Sequence, residues 1–279
     1  MSAVASPVVN TMSFEGKDVV LDVIRTERQA FYDLIEDPAN WDVQSRCTEW
    51  KTHDIVDHLI DTTEGYLDRW EAARKGETRE MLTLPVMSEK VNEGAKRLGQ
   101  VPREEAITRL KRASDEMMAT FEGLTEHDWA EFLVPHRYMG PLPTLFYPAF
   151  QVMDYGVHTW DIRYGLGEKT RKLDERTAGV LIPFMFVLFS ATVDAESARG
   201  VDITYGIDVS SEWGGKWRVT IKDGKFENQP DDGGFAGCDA IFEYDPSDFV
   251  LTAFQRFPGG SARGDAKVIE TARGLFFRI

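Results

Sequence analysis

At 279 residues, with 42% hydrophobic and 28% charged side chains, the chain lies inside the globular range, away from the low-hydrophobicity regime of disorder, and its length suits two modest cores. Its 47 acidic against 32 basic side chains give a formal charge of -15, which repels phosphate backbones and anionic headgroups, so neither nucleic acid nor a membrane is an expected partner. Two widely separated cysteines, Cys47 and Cys238, exclude a disulfide framework, and the start MSAVASPVVNTMSFEGKD lacks a basic segment followed by an apolar core, so a cytoplasmic protein is expected.

In chain order, Val20, Ile24, Phe31, Leu34 and Ile35 recur at helical spacing over residues 17–36, and Asp37-Pro38 ends that helix. A loop carrying Trp41, Cys47 and Trp50 leads to a second helix over 52–73, with Thr52 or a neighbour as cap and Ile55, Val56, Leu59, Ile60, Tyr66 and Trp70 on its apolar stripe. Helical pattern returns at 88–98 and 103–121, then in the aromatic-rich stretch 142–166, where Pro148 predicts a kink or a delayed start. A last long helix is expected over 174–195, with Pro183 distorting it. Its apolar run 180–189 falls short of the roughly 18 residues a membrane span needs and reads as a buried helix.

The pattern then changes. Residues 201–209, 216–221, 225–228 and 238–244 read as short strands, Lys222-Asp223-Gly224 as a hairpin turn, and 247–256 and 265–273 as amphipathic helices. The expected class is α+β: an antiparallel helical bundle over residues 1–198, followed by a small α+β domain over 199–279.

Chemistry concentrates on the histidines. In Asp154-Tyr155-Gly156-Val157-His158 the four-residue spacing puts carboxylate and imidazole on one helix face, one turn apart. His58, within an otherwise apolar helix, offers a third ligand if it faces the interior. Two histidines and a carboxylate suit zinc with an open position for water or a thiol, and equally non-haem iron. The spacing alone also fits a surface Asp–His pair, and His58 a hydrogen-bonded core histidine.

Asp161 reads either as an acceptor orienting a ligand imidazole or as a helix-surface charge. His136 and Arg137, in a loop, read as a pair that meets an anionic substrate or as a solvated pair. His53 and His127 read as solvent-facing, Cys47 as a buried structural thiol, and Trp50 and Trp160 as core packing.

The run CTEWKTHDIVDHL over 47–59 resembles the Trp-(Ser/Thr)-x-x-Asp-x-x-x-His-Leu signature of the DinB-like, mycothiol-dependent maleylpyruvate isomerase family. The run DYGVHTWD over 154–161 resembles that family's Glu-x-x-x-His segment followed by Trp-Asp. Phe254-Gln255-Arg256 with Arg263-Gly264-Asp265 resembles the closing motif of its sterol-carrier-like C-terminal domain.

The resemblance implies a DinB-like bundle with metal ligands at His58, Asp154 and His158, and a functional arginine at Arg256. It further implies a divalent metal, zinc first, with mycothiol or another low-molecular-weight thiol as cosubstrate. The implied partners are that thiol and a small electrophile, and the chain is expected to be a monomer or homodimer. The implied activity is isomerase or S-transferase: a metal-bound thiolate attacks the electrophile and, in isomerisation, leaves again after rotation about the former double bond. Asp154 departs from the family's usual Glu by one methylene. Two other activities stand beside this one, a carrier of small apolar ligands and a metal hydrolase of the same fold.

Overall fold

A computed structural model describes residues 10–96, 98–99 and 101–277, which divide into two units, one of Met12–Leu173 and one of residues 10–11 together with those from Asp174 onward. The first unit holds α1 (Lys17–Ile35), α2 (Thr52–Lys75), α3 (Leu84–Lys96), α4 (Arg103–Glu122), α5 (Glu126–Glu131), a hairpin of β1 (Leu133–His136) and β2 (Gly140–Pro143), and α6 (Phe146–Gly165).

The apolar stripes decide how these helices pack. On α1, Val20, Ile24, Phe31 and Ile35 are all buried, and this face meets α6, while α2 packs on α4. Phe31, Ile55, Leu59, Leu110 and Tyr155 are fully buried in one core, each worth about 1.5–3 kcal/mol of transfer free energy. The Tyr155 ring meets Phe31 and Tyr32 edge-on, at centroid distances of 5.5 and 6.2 Å.

The start of α2 is capped at the neighbour of Thr52, within the expected positions. Lys51 is the N-cap residue, and Asp54 reaches back so that Oδ2 accepts the Lys51 N–H at 2.8 Å, leaving Thr52 as the first helical residue. Proline placement accounts for two helix starts. The regular start of α6 is delayed to Phe146, four residues into the expected stretch, and Pro148 falls in its first turn, where no intrahelical N–H is missed. Pro85 likewise sits in the first turn of α3, which begins four residues before the expected 88. The expected end of α3 at 98 crosses residue 97, which lies outside the described residues. The short α5 and the β1–β2 hairpin leave no mark in the sequence pattern, because neither is long enough for a period to register.

The second unit gathers the chain from Asp174: α7 (Glu175–Thr192), β3 (Asp202–Val209), β4 (Gly215–Lys222), β5 (Lys225–Pro230), β6 (Ala240–Tyr244), α8 (Pro246–Ala253), β7 (Ser261–Gly264) and α9 (Ala266–Gly274). The five-stranded sheet has the order β5-β4-β3-β6-β7, with β3 and β6 parallel and the other pairs antiparallel.

Helix α7 moves the domain boundary from the expected 198 to 173. Phe186 on α7 packs against Trp217 of β4 and Phe249 of α8 at 5.0 and 5.6 Å, and Phe189 against Phe276 at 4.9 Å. A helix apolar on most of its faces announces that it is buried but not by which neighbour, so periodicity alone assigned it to the bundle. By length and mean hydropathy (1.2) α7 also passes as a membrane span, yet 61% of it is buried within the fold. The expected class holds: a helical N-terminal region precedes a mixed five-stranded sheet with helices, α+β overall.

Candidate metal centre

Helix α6 carries Asp154 and His158 on one face, and α2 brings His58 to it. One nitrogen or oxygen from each of His58, Asp154 and His158 lies within 4.8 Å of the others. His58 Nε2 stands 3.9 Å from Asp154 Oδ1, and the two imidazole rings are edge-on at 5.3 Å. Ligand atoms on a tetrahedral zinc lie about 3.3–3.5 Å apart for bonds near 2.0–2.1 Å, so small side-chain movements would close the set on an ion.

Burial makes this arrangement polar in an apolar setting. Asp154 is 3% and His158 6% exposed, and Asp154 Oδ2 is buried with no hydrogen-bond partner. A buried carboxylate oxygen left in that state costs free energy that a cation would offset. His58 is the more accessible member, its side chain 21% exposed, so one side of the group is open to a small molecule.

The loop before α2 supplies the surroundings. The Arg46 N–H donates to the Asp161 carbonyl at 2.9 Å, tying the loop to α6. Gly165 permits the close approach: a Cβ there would stand 2.1 Å from the Gln44 carbonyl oxygen. Held this way, Trp50 packs its ring 4.9 Å from that of His58 and 5.7 Å from that of His158, and its Nε1 donates to Asn92 Oδ1 on α3 at 2.8 Å. The expected core packing understates the place of Trp50, because it forms a wall of the histidine pair.

Asp161 is fully buried and is no surface charge. Its Oδ2 meets His158 Nδ1 at 3.0 Å and accepts from Cys47 Sγ at 3.2 Å. With Nδ1 carrying the proton toward that carboxylate, Nε2 is the imidazole nitrogen that can donate to a cation. Cys47, His158 and Asp161 also form a compact trio of possible ligands, and all three are buried. The trio had no signal in the sequence, because Cys47 lies far from α6 along the chain.

Asp57, beside His58, has its carboxyl pushed up to about 6, first by burial and then by the charge of Asp54, against the opposing pull of Arg109.

His136 and Arg137 differ from the expected loop pair. His136 ends strand β1, is 5% exposed and stacks on Phe150 at 5.0 Å. Its Nδ1 accepts the N–H groups of Tyr138 and Met139, each at 3.2 Å, and burial together with the nearby Arg69 charge lowers its pKa to about 4. A ring neutral at ordinary pH brings no positive charge to an anion. Arg137 is exposed, its guanidinium over the Tyr138 ring at 5.4 Å. His127 is exposed and His53 partly so, in keeping with their expected solvent-facing places.

Arg256 belongs to the second unit. It follows α8, its N–H donating to the Leu251 carbonyl at 2.8 Å and Nη1 to that of Phe254 at 3.3 Å. The preceding Gln255 adopts φ of 52°, a turn conformation unusual for a residue other than glycine.

Comparison with known proteins agrees with the sequence motifs. The model of the family described as mycothiol maleylpyruvate isomerase N-terminal domain matches residues 24–163. Two crystal structures of mycothiol-dependent maleylpyruvate isomerase are similar in fold. A histidine-to-alanine variant gives a TM-score of 0.59 at 13% identity, and another structure of the enzyme gives 0.58 at 12%. Each comparison covers 90% of this chain and 94% of the other. No curated protein matches the chain by sequence.

Proposed function

The chain belongs to the mycothiol maleylpyruvate isomerase N-terminal domain family, and from that premise we propose that it is a metal-dependent, thiol-using enzyme of the isomerase or S-transferase kind. His58, Asp154 and His158 hold a divalent ion, zinc first, and a low-molecular-weight thiol such as mycothiol is the cosubstrate. One observation carries this reading: donor atoms of His58, Asp154 and His158 lie within 4.8 Å of one another, and the carboxylate among them has a buried oxygen, Oδ2, with no partner. The trio Cys47–His158–Asp161 is the weaker candidate, since its Asp161 Oδ2 is already engaged by both other members and all three residues are buried.

Bound zinc would lower the pKa of a thiol and present it as thiolate near neutral pH. The residues of the chain do the rest. Asp161 holds the His158 ring in the tautomer that leaves Nε2 facing the ion, and Trp50 restricts water on one side of the histidines. His58, the exposed member, marks the side from which thiol and electrophile enter. Arg256, in the second unit, we take on the motif resemblance alone as a carboxylate-binding residue.

Metal content of the purified wild type and of His58→Ala, by inductively coupled plasma mass spectrometry, tests the reading. About one zinc per wild-type chain, lost in the variant, is expected. Less than about 0.1 equivalent of any transition metal, with no uptake on reconstitution, would overturn it. Screening mycothiol and other thiols against a maleyl-type electrophile then separates isomerisation from S-transfer.

A further inference from the structure

One buried side chain close to the candidate centre has a polar atom with no partner. Gln151 is 2% exposed, and its Nε2 makes no hydrogen bond. It precedes Asp154 by three residues and His158 by seven on α6, so all three lie on the same helix face. Its Cα is about 4.5 Å along the helix axis from that of Asp154, at 1.5 Å per residue, on the side away from His158.

The ring contacts fix what lies opposite. His58 on α2 is level with Asp154 and His158, while Tyr66, further along α2, meets Tyr147 and Phe150 at 5.1 and 5.8 Å. The two helices therefore run antiparallel, and Gly65 stands near the level of Gln151. Gly65 follows His58 by seven residues and shares its face of α2. A Cβ added to it would meet nothing within 4 Å, which leaves room there for part of a ligand.

An unpaired buried amide costs stability, and a leucine or methionine of similar size would avoid that cost. The feature makes physical sense if a ligand supplies the missing acceptor. We propose that Gln151 is a specificity-determining residue: its Nε2–H donates to a carbonyl-type oxygen on the thiol or electrophile bound at the metal. The ligands selected are those with an sp² oxygen about one helical turn from the coordinating atom, and purely aliphatic thiols are disfavoured. This inference rests on the metal-centre reading above.

The test uses full-length protein reconstituted with Co²⁺, in which thiolate binding is read by the sulfur-to-cobalt absorption band. Methyl 3-mercaptopropionate, which carries the acceptor, is compared with 1-hexanethiol, which does not, on wild type and Gln151→Leu. The ratio of the two affinities should shift against the ester by about 5- to 10-fold in Gln151→Leu, the size of one lost hydrogen bond. An equal ratio in both proteins would overturn the proposal while leaving the metal reading intact. A failure of cobalt uptake by the wild type would remove both readings.

A second measurement needs no metal. Metal-free Gln151→Met should melt no lower than the wild type, and about 2–4 °C higher if the unpaired amide is its main difference. A clear fall in Tm would assign Gln151 a structural bond within the fold and overturn the proposal.

Discussion

Two histidine neighbourhoods lie in the first unit, and they differ in what remains unpaired. Around His136 one ring nitrogen is taken up by the fold: Nδ1 accepts two backbone N–H groups of its own hairpin, and the ring stacks on Phe150. Around His58 and His158 the polar atoms are oriented but not all paired. Asp161 fixes one nitrogen of His158, while Asp154 Oδ2 is left without a partner. Both settings are aromatic and substantially buried, so residue type and burial do not separate them. What separates them is the acceptor left over: His136 Nδ1 is engaged by the backbone, whereas the buried Asp154 Oδ2 is engaged by nothing in the protein.

The largest effect should come from removing a ligand in one neighbourhood and the buried ring in the other. His158→Ala should lower zinc affinity by more than the roughly 100-fold upper figure for losing an outer partner. His136→Phe should leave zinc content unchanged and cost about 1–3 kcal/mol of stability, through two backbone N–H groups losing their acceptor. Metal analysis and denaturant titration of both variants check this, and zinc loss in His136→Phe would erase the contrast.

Acidity sharpens it next. The His136 pKa is lowered from 6.5 to about 4, so its contribution to stability is present above pH 6.5 and is lost as pH falls through about 4. Asp57 is raised from 3.8 to about 6, so its contribution is present below pH 3.8 and is lost as pH rises through about 6. At about 1.36 kcal/mol per pKa unit each amounts to a few kcal/mol at most, and over the shared window they oppose one another. In metal-free protein, Asp57→Asn should therefore make stability climb more steeply from pH 4 to 6.5 than in wild type. Urea midpoints across that range decide it, and parallel profiles would show that Asp57 titrates normally.

The smallest expected effect is at the carboxylate behind the centre. Asp161→Asn should weaken zinc binding 10- to 100-fold, or about 1.4–2.8 kcal/mol, without abolishing it, because a neutral amide orients the His158 ring less firmly. Competition against a chromogenic chelator measures this, and unchanged affinity would make Asp161 a partner of Cys47 alone.

Much of this was legible in the sequence, and the rest was hidden for identifiable reasons. The long helices announce themselves through periodic stripes such as Val20, Ile24, Phe31 and Ile35, and Asp154 and His158 through their spacing on one of them. Tertiary partnership does not show in a periodicity, which is why α7 was assigned to the bundle although its phenylalanines pack on β4 and α8. The β1–β2 hairpin has only four residues per strand, too few for a pattern, and with it went the true setting of His136. Trp50 and Cys47 approach the centre through a loop pinned at Arg46 and Gly165, a placement made by contacts across the chain rather than by local sequence. Gln151 carried no motif, although its position three residues before Asp154 placed it on the ligand face from the start.

His58 and His158 stand one hundred positions apart in the chain. An ion gripped by both would act as a removable cross-link, closing a loop long enough to withdraw about 4.7 kcal/mol of chain entropy from the unfolded state on the simplest polymer estimate. Metal supply would then govern how long the folded chain survives as well as what it can react with.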